Sequence, residues 1–179
     1  RLGRLSQKLL TLTKLDSSVE DEREILDAVP VVQKVVRMLR PLAELRGITI
    51  ETELGERCML MTVEDDLYQI AFNLVENAIK YNSDKGWIGV RLRRVQDDVL
   101  LSVEDTGPGI PEEARAHIFE RFYRVDKARS RAKGGAGLGL SIVHDMVQRN
   151  YGTLGAFARE GGGTRFEVSF PSFDTEETE

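Results

Sequence analysis

Cysteine, surplus positive charge and long apolar runs are all scarce in this sequence, and each scarcity excludes a class of protein. The single cysteine, Cys58, cannot form an internal disulfide and has no metal-ligand pattern beside it, so we expect a small buried residue in a reducing compartment. No apolar run approaches the ~18 residues of a membrane span, and no signal peptide is visible. The chain carries 25 Lys and Arg against 30 Asp and Glu, and this net charge of −5 argues against a nucleic-acid binder. We therefore expect a cytoplasmic domain that is not inserted in a membrane.

The chain is long enough for one ordinary domain, and 41% of its 179 residues are hydrophobic, which is enough to build a core. It begins at Arg1 without a methionine, inside a helical pattern, so we expect it to be part of a longer protein. Leucines at positions 2, 5, 9, 12 and 15 form a narrow stripe that is typical of a seam for a partner helix. We predict a helix end over 1–16, a linker over 17–27, a folded domain over 28–172 and an acidic tail over 173–179.

The rest of the sequence predicts helices that alternate with groups of strands. Gly47 is a natural stop for a helix, and Thr62 with Asp65 resembles a capping box that opens a helix ending near Tyr81. The predicted helices are 29–46, the one from the capping box to Tyr81, 111–124 and 138–149. The predicted strands are 48–54, 87–94, 99–104 and a closing strand pair around 160–163. This order predicts an α+β fold, a two-layer sandwich in which one mixed, mostly antiparallel sheet is covered by helices.

The first candidate cluster lies on the helix that ends near Tyr81. At about 100° per residue, four polar side chains share one face: Asn73, Asn77, Lys80 and Tyr81. Taken one at a time, each fits an ordinary solvated face. However, such a face usually carries Glu, Lys and Arg, and Asn competes with the helix backbone. Amide oxygens suit a hard cation such as Mg²⁺, and Lys80 is placed to meet phosphate charge.

The second cluster is Asp105-Thr106-Gly107-Pro108-Gly109, which follows a predicted strand. Asp105 shares the more apolar face of that strand, where a carboxylate without a donor is costly, and the exocyclic amine of adenine is a suitable donor. Gly107 and Gly109 would let the backbone approach a flat base closely. The alternative is a plain turn, since these residue types are also favoured in turns.

The third cluster is the glycine-rich run from Gly134 to Leu140, which includes Gly137, Leu138 and Gly139 and leads into a helix. Backbone N–H groups at a helix N-terminus can hold phosphate, and the helix dipole favours the negative charge. Alone, such a run also fits simple flexibility. It matches neither a P-loop nor a dinucleotide-binding fingerprint.

These clusters, in this order, resemble the ATP-binding catalytic domain of bacterial sensor histidine kinases, which belong to the wider group of gyrase, Hsp90 and MutL ATPases. The resemblance covers about residues 24–172. It implies the Bergerat-type fold of that group, with ATP and Mg²⁺ as ligands. Four boxes carry it: Asn73-Leu-Val-Glu-Asn77-Ala-Ile-Lys80-Tyr81, Asp105-Thr-Gly-Pro-Gly109, Phe119-Glu-Arg-Phe122-Tyr-Arg124 and Gly137-Leu138-Gly139-Leu140.

The resemblance implies that the helix residues and Arg124 serve the phosphates. Asn77 would bind the magnesium ion, and Asn73 would support the phosphates one turn earlier. Lys80 and Arg124 would face the phosphate chain, and Tyr81 would pack near the nucleotide.

It also implies an adenine site and a mobile ATP lid. Asp105 would accept from the adenine amine, with Gly107 and Gly109 beside it and Thr164 joining through water. The lid would cover 125–136, and the second glycine box, Gly137-Leu138-Gly139, would follow it. Phe119 and Phe122 are three residues apart, which is usual for core aromatics, and they would also anchor the lid.

One position separates this chain from the hydrolytic relatives. They carry a glutamate four residues before the magnesium asparagine as the base for water, whereas here that residue is Asn73. Glu76 lies about 100° around the helix from Asn77, which makes it a doubtful substitute. This difference favours a kinase that transfers the γ-phosphate by positioning and electrostatic stabilisation. A serine kinase, a hydrolytic ATPase and a catalytically silent nucleotide-binding scaffold remain as alternatives.

The phosphate acceptor is missing from this sequence. In the family it is a histidine on a dimeric helical bundle, and residues 1–15 resemble the end of the second helix of that bundle. The only histidines here, His117 and His144, fall inside the predicted nucleotide domain, and we interpret both as surface or packing residues. The resemblance implies as partners the protein's own dimerisation domain and a response regulator, and a homodimeric parent that senses at the plasma membrane.

Overall fold

The computed structural model describes residues 22–123 and 139–173, and within them helices and strands alternate as an α+β fold. The helices are α1 (Ala28–Glu44), α2 (Glu64–Lys80), α3 (Glu112–Arg115) and α4 (Gly139–Arg149). The strands are β1 (Glu24–Asp27), β2 (Thr49–Leu54), β3 (Met59–Thr62), β4 (Trp87–Val95), β5 (Asp98–Asp105), β6 (Thr153–Ala158) and β7 (Thr164–Pro171). None of the helices in these ranges is both long and apolar enough to cross a membrane.

Five strands form the main sheet in the order β2-β4-β5-β7-β6. The β2–β4 contact is parallel, and the other three contacts are antiparallel. The short strands β1 and β3 pair with each other as a separate antiparallel ribbon. The predicted fold class, a mixed and mostly antiparallel sheet covered by helices, is therefore confirmed.

The core lies between the sheet and the layer of helices α1, α2 and α4. β7 shows the reason, because its residues alternate between buried and partly exposed from Thr164 to Phe170, the pattern of a strand with one face on a core. Cys58 is also buried, as its position in the sequence predicted. In α2 the apolar side chains fall on one face and are buried: Leu67, Ile70, Ala71, Leu74, Val75, Ala78 and Ile79.

Three details of the predicted secondary structure are wrong. No side chain caps the start of α2: its N-cap residue is Val63, and the hydroxyl of Thr62 bonds instead to Asn150. The strands β1 and β3 were not predicted, and β1 lies in the stretch predicted as a linker. The predicted helix over 111–124 shrinks to Glu112–Arg115 and is followed by turns. The helix end predicted over 1–16 lies outside the described residues.

The outer face of the sheet carries charged side chains in pairs. Arg91 on β4 pairs with Glu53 on β2 at 3.1 Å and with Glu104 on β5 at 3.9 Å, and Arg159 pairs with Glu104 at 3.3 Å. These pairs are partly or largely exposed, so each contributes little to stability. Their arrangement gives this face both signs of charge.

Candidate functional site

The polar face of α2 forms one side of the candidate site. Asn73, Asn77, Lys80 and Tyr81 are all partly exposed, whereas the opposite face of the helix is buried. Each α-helical residue rises about 1.5 Å, so Asn77 lies about one turn, and Asn73 about two turns, before Tyr81 along the axis. The structure therefore places the two amides one turn apart on the same exposed face of α2, as the sequence predicted.

Arg46 holds the C-terminal end of α2 in place. Its guanidinium donates to the carbonyl oxygens of Ile79, of Lys80 at 3.3 Å and of Asn82 at 2.6 Å, and its Nε bonds to Asp84 at 2.9 Å. The last carbonyls of a helix lack partners within the helix, and a cation there also suits the helix dipole. Arg46 was not singled out from the sequence, because nothing local shows that it reaches the end of a helix 33 residues further along the chain.

Asn82 ties this helix end to the sheet. The side chain is buried, with 2% of its surface exposed, and its Nδ2 donates to the carbonyl of Trp87 at 3.1 Å. Its Oδ1 accepts from the hydroxyl of Thr106 at 3.2 Å, and that hydroxyl in turn accepts from the N–H of Trp87 at 2.9 Å. The sequence analysis missed Asn82 and Thr106 as positioning residues. Together they fix α2 against the start of β4 and the 105–109 loop.

The 105–109 loop approaches α2 so closely that a side chain would not fit. A Cβ added to Gly107 would lie 2.6 Å from the carbonyl oxygen of Tyr81 and 3.1 Å from Oδ1 of Asp105. Gly109 has a φ of +78°, in the region that favours glycine. The backbone geometry therefore requires glycine at both positions, one for close approach and one for the turn.

The start of β7 closes the other side of this loop. Asp105 and Thr164 are directly opposite each other in the antiparallel β5–β7 ladder, and both are buried. Gly163, with a φ of +113°, lies so near the carbonyl of Asp105 that a Cβ there would overlap it. Asp105, Gly107, Gly109 and Thr164 are thus brought together, although β5 and β7 are separated in the chain by α3, α4 and β6.

Asp105 is a carboxylate in an apolar position. Only 6% of its surface is exposed, and burial raises its pKa to about 6 from an ordinary 3.8. Backbone hydrogen bonds from Gly107, whose N–H donates to Oδ1 at 2.9 Å, and from Thr164 lower the pKa, as does the charge of Arg159. The sequence analysis offered a plain turn as the alternative to a buried acceptor. The Gly107 bond is typical of such a turn, so the segment forms a turn and also holds a buried carboxylate.

Helix α4 packs against α2 and is fixed to it by a buried ion pair. Nε of Arg149 donates to Asp66 at 2.6 Å, and Nδ2 of Asn150 donates to the same carboxylate at 2.8 Å. Oδ1 of Asn150 accepts from Thr62 at 3.0 Å and from the N–H of Val63 at 3.1 Å. This network joins the start of α2 to the end of α4, and it was not predicted.

Several predicted site residues lie outside the described residues. Arg124, Gly137 and Leu138 belong to this set, as does the predicted lid over 125–136. Gly139 is the first residue of α4. The predictions for Arg124, Gly137 and Leu138 therefore stay predictions.

The contacts of the two histidines are with residues outside α2. His117 is exposed and bonds to Glu120 at 2.8 Å. His144 stacks on Phe119, with ring centroids 5.9 Å apart. Both are surface or packing residues, as the sequence predicted.

The two phenylalanines of the third box have different environments. Phe119 packs edge-on against Phe166 in the core, with ring centroids 6.4 Å apart. Phe122, in contrast, has 59% of its surface exposed. The spacing of three residues therefore predicted a core position correctly for Phe119 and wrongly for Phe122.

The arrangement fits a nucleotide bound with a hard cation. A buried acceptor suits the polar edge of a flat base, and a glycine backbone close to it suits the face of the base. The row of amide side chains on α2 supplies neutral oxygen ligands of the kind that Mg²⁺ takes when substrate phosphates complete its coordination. Lys80 adds one positive charge at the same end of the helix.

Comparison with known proteins identifies the kind of domain. Residues 62–174 match the family described as histidine kinase-, DNA gyrase B- and HSP90-like ATPases. The sensor histidine kinase WalK of Bacillus subtilis (strain 168) is 34% identical over 181 residues, which cover 99% of this chain and 30% of WalK. The matched range contains every element that builds the site, from α2 to β7.

Solved structures agree with this match. Full-length ShkA in complex with AMPPNP is 29% identical, with a TM-score of 0.83 over 96% of this chain and 36% of ShkA. The mycobacterial sensor histidine kinase MprB is 28% identical, with a TM-score of 0.73 over 84% of this chain and 97% of the MprB chain. The chain spans between 30% and 47% of the length of the first curated relatives that it matches.

Proposed function

Since the chain belongs to the family of histidine kinase-, DNA gyrase B- and HSP90-like ATPases, we propose that it binds Mg-ATP between α2, the 105–109 loop and the start of β7. The observation that carries this proposal is the buried carboxylate of Asp105, held beside Gly107 and the C-terminal end of α2. A charge in that position is costly unless a donor meets it. The adenine exocyclic amine is such a donor.

Adenine recognition is assigned to the 105–109 loop and β7. Asp105 accepts from the exocyclic amine, and Thr164, its cross-strand partner, joins the same network through water. Gly107 and Gly109 shape the loop to which we assign the base, because protein atoms of Tyr81 and Gly163 fill the space that their side chains would need. Tyr81, whose carbonyl lies beside Gly107, packs next to the nucleotide.

Phosphate binding is assigned to α2 and to the segment before α4. When bound, the magnesium ion neutralises phosphate charge and holds the γ-phosphate for in-line attack. Asn77 is the residue that we assign as its ligand, and Asn73 supports the phosphates from one turn earlier. Lys80, Arg124 and the Gly137-Leu138-Gly139 segment complete the phosphate contacts. In this assignment Asn73, Lys80 and Arg124 are the catalytic residues.

The reaction that these residues favour is transfer of the phosphoryl group to an acceptor other than water. Asn73 occupies the position of the hydrolytic base in the relatives and cannot accept a proton usefully. Asn73 can still orient phosphate oxygens by hydrogen bonding. A histidine nitrogen on the dimerisation domain would attack the γ-phosphorus, the bond to the bridging oxygen would break, and ADP would leave.

The remaining parts of the system are inferred from the relatives. The sensor histidine kinases among them are about two to three times as long as this chain. We assign the acceptor histidine to a dimerisation domain outside this sequence and the final acceptor to an aspartate of a response regulator. We further infer a homodimeric parent that senses a signal at the membrane. Residues 1–16 would be the end of its helical bundle.

A transfer assay in trans tests this proposal. The chain is incubated with Mg²⁺, ATP labelled at the γ-phosphate and the separately purified dimerisation domain of the parent protein. We expect label on that domain that is stable in base and lost in acid, as phosphohistidine is. The Asn77→Ala variant should lose most of the transfer. Glu53→Gln is the control, because it changes an exposed side chain on the outer face of the sheet, and it should keep the transfer.

Each alternative function has its own outcome in this assay. Acid-stable label on serine would favour a serine kinase. Rapid phosphate release without an acceptor would favour a hydrolytic ATPase. ATP binding with no transfer to the parent's own domain would contradict the kinase and leave the silent scaffold.

A further inference from the structure

One edge of the main sheet carries backbone groups that point away from the sheet. β2 is an edge strand, and among the described residues no strand other than β4 pairs with it in the sheet. The N–H groups of Thr49 and Gly55 donate towards the β4 side. Backbone groups of successive strand residues point to opposite edges. The N–H and C=O groups of Ile50, Thr52 and Leu54 therefore face outward.

A groove of about 350 Å³ lies beside this edge, between β2 and α1. Thr52 and Leu54 line its strand side. Arg37 and Arg40 are among the residues that line its helix side. An edge strand can take an extended peptide as an additional strand, and main-chain hydrogen bonds then supply the affinity. β2 therefore offers the backbone groups for a short extended segment, and the groove offers the room.

Arg40 limits how much of the edge is open. Its Nη1 donates to the carbonyl of Ile50 at 2.9 Å, which satisfies one outward acceptor near the start of β2. Charged side chains commonly protect sheet edges in this way. Within the described part of the chain, the outward groups of Thr52 and Leu54 have no such cover. The open part of the edge is therefore the second half of β2.

The helix side of this open part carries positive charge. α1 leads into β2 through a short turn, so residues earlier in α1 lie further along β2, and Arg37 lies one helical turn before Arg40. Arg37 is exposed, and residues 22–123 and 139–173 show no acidic partner for it. Glu44, which also lines the groove, lies towards the start of β2. Acidic side chains on an added strand would suit the side that faces α1.

The opposite face of β2 carries negative charge. Ile50 is buried, and alternate residues of a strand point to opposite faces, so Glu51 and Glu53 lie on the outer face. Both are exposed, and Arg91 pairs with Glu53 from the β4 side. Side chains opposite each other on adjacent strands interact, and opposite charges there are favourable. Basic side chains on an added strand would therefore suit the outer face.

The same charges disfavour a second copy of this chain at the edge. If the β2 strands of two copies paired, Glu51 and Glu53 of one copy would lie beside the same two residues of the other. Like charges in adjacent strands are destabilising. The edge therefore suits a segment whose pattern of charge differs from that of β2 itself.

We propose that β2 binds an extended segment of a partner protein in which acidic and basic residues alternate. The acidic side chains face Arg37 on α1, and the basic ones face Glu51 and Glu53. The backbone of the segment bonds to the outward groups of Thr52 and Leu54. None of these residues is assigned to Mg-ATP, so the inference does not depend on the proposed function.

Peptides of equal composition test this proposal on the full chain. The probe is an acetylated hexapeptide amide with the sequence Glu-Lys-Glu-Lys-Glu-Lys. One control is Glu-Glu-Glu-Lys-Lys-Lys, and the other is the alternating peptide with methyl groups on its backbone nitrogens. In an NMR titration, the alternating peptide should bind at least about tenfold more tightly than either control. At saturation it should also slow amide hydrogen exchange at Thr52 and Leu54.

Variants on the two sides of the edge test the assigned charges. Arg37→Glu should weaken binding of the alternating peptide about tenfold. Lys34→Glu is its matched control, because it makes the same charge change on the same helix outside the groove, and it should leave the affinity unchanged. Glu51→Lys combined with Glu53→Lys should make hexaglutamate bind more tightly than the alternating peptide. A well-dispersed amide spectrum shows that each variant is folded.

Three outcomes would overturn the proposal. Equal affinities for the alternating and block peptides would mean that simple charge attraction explains the binding. Binding without slower exchange at Thr52 and Leu54 would place the peptide elsewhere on the chain. Absence of binding by the alternating peptide would rule out the added strand.

Discussion

Asp105 is subject to two effects that oppose each other. Its position on the apolar side of β5 makes ionisation costly, and its hydrogen bonds from backbone N–H groups make ionisation less costly. The net effect is a pKa of about 6, well above the ordinary 3.8. We propose that a ligand uses this carboxylate as an acceptor.

The raised pKa of Asp105 predicts a pH dependence of stability with a definite sign. Between pH 4 and 6 the folded state holds a proton that the unfolded state has lost, so the free energy of unfolding falls as the pH rises. The loss is roughly 1–3 kcal/mol, since one pKa unit corresponds to about 1.4 kcal/mol. Urea denaturation across pH 4–7 should give a shallower decline for Asp105→Asn. Parallel curves for the two proteins would contradict the raised pKa.

Residues that act through local chemistry were predictable, and those that act across the fold were not. Asn73 and Asn77 were singled out because their spacing places them on one helix face and because Asn is an unusual choice there. Arg46 and Asn82 were missed because their partners are set by the tertiary fold. Neither residue type nor local spacing indicates such contacts.

At the scale of elements, α2 is held at both ends. Arg46 and Asn82 fix its C-terminal end, and the buried ion pair of Asp66 with Arg149 fixes its N-terminal end to α4. The helix that carries both candidate phosphate-binding amides is therefore attached to the strand β4 and to the helix that follows the predicted lid. This attachment favours a preformed arrangement of the two amides.

The buried pair should contribute far more to stability than an exposed one. Arg149→Met should lower the free energy of unfolding by about 3–5 kcal/mol, because it leaves the carboxylate of Asp66 buried beside fewer donors. Glu53→Gln, which removes an exposed partner of Arg91, should change it by less than about 1 kcal/mol. Chemical denaturation of both variants measures the contrast. Similar losses in the two variants would count against the structural role of the Asp66 pair.

Long elements were predicted well, and short ones were not. α1 and α2 have apolar faces long enough for their periodicity to be recognised, and their observed bounds differ from the predicted ones by one or two residues. β1 and β3 have four residues each and exist because they pair with each other. Four residues show too little alternation to predict a strand without knowledge of the partner.

At the scale of the molecule, the fold brings together segments that are far apart in the sequence. The site uses the end of α2, the end of β5 and the start of β7, and β5 and β7 are adjacent only because the chain returns through α4 and β6. The order of helices and strands was sufficient to predict an α+β sandwich. The strand order was not predictable from it, since it depends on long-range pairing.

The most direct test of the account is the affinity for ATP in the presence of Mg²⁺, measured by calorimetry for the unmodified chain and for Asp105→Asn. Replacing the acceptor with an amide should weaken binding by about 1–3 kcal/mol, or roughly five- to 150-fold, because a buried polar partner is lost. Asp97→Asn, the same change at an exposed turn between β4 and β5, should leave the affinity unchanged. Equal affinities of the Asp105→Asn variant and the unmodified chain would contradict the proposed nucleotide site.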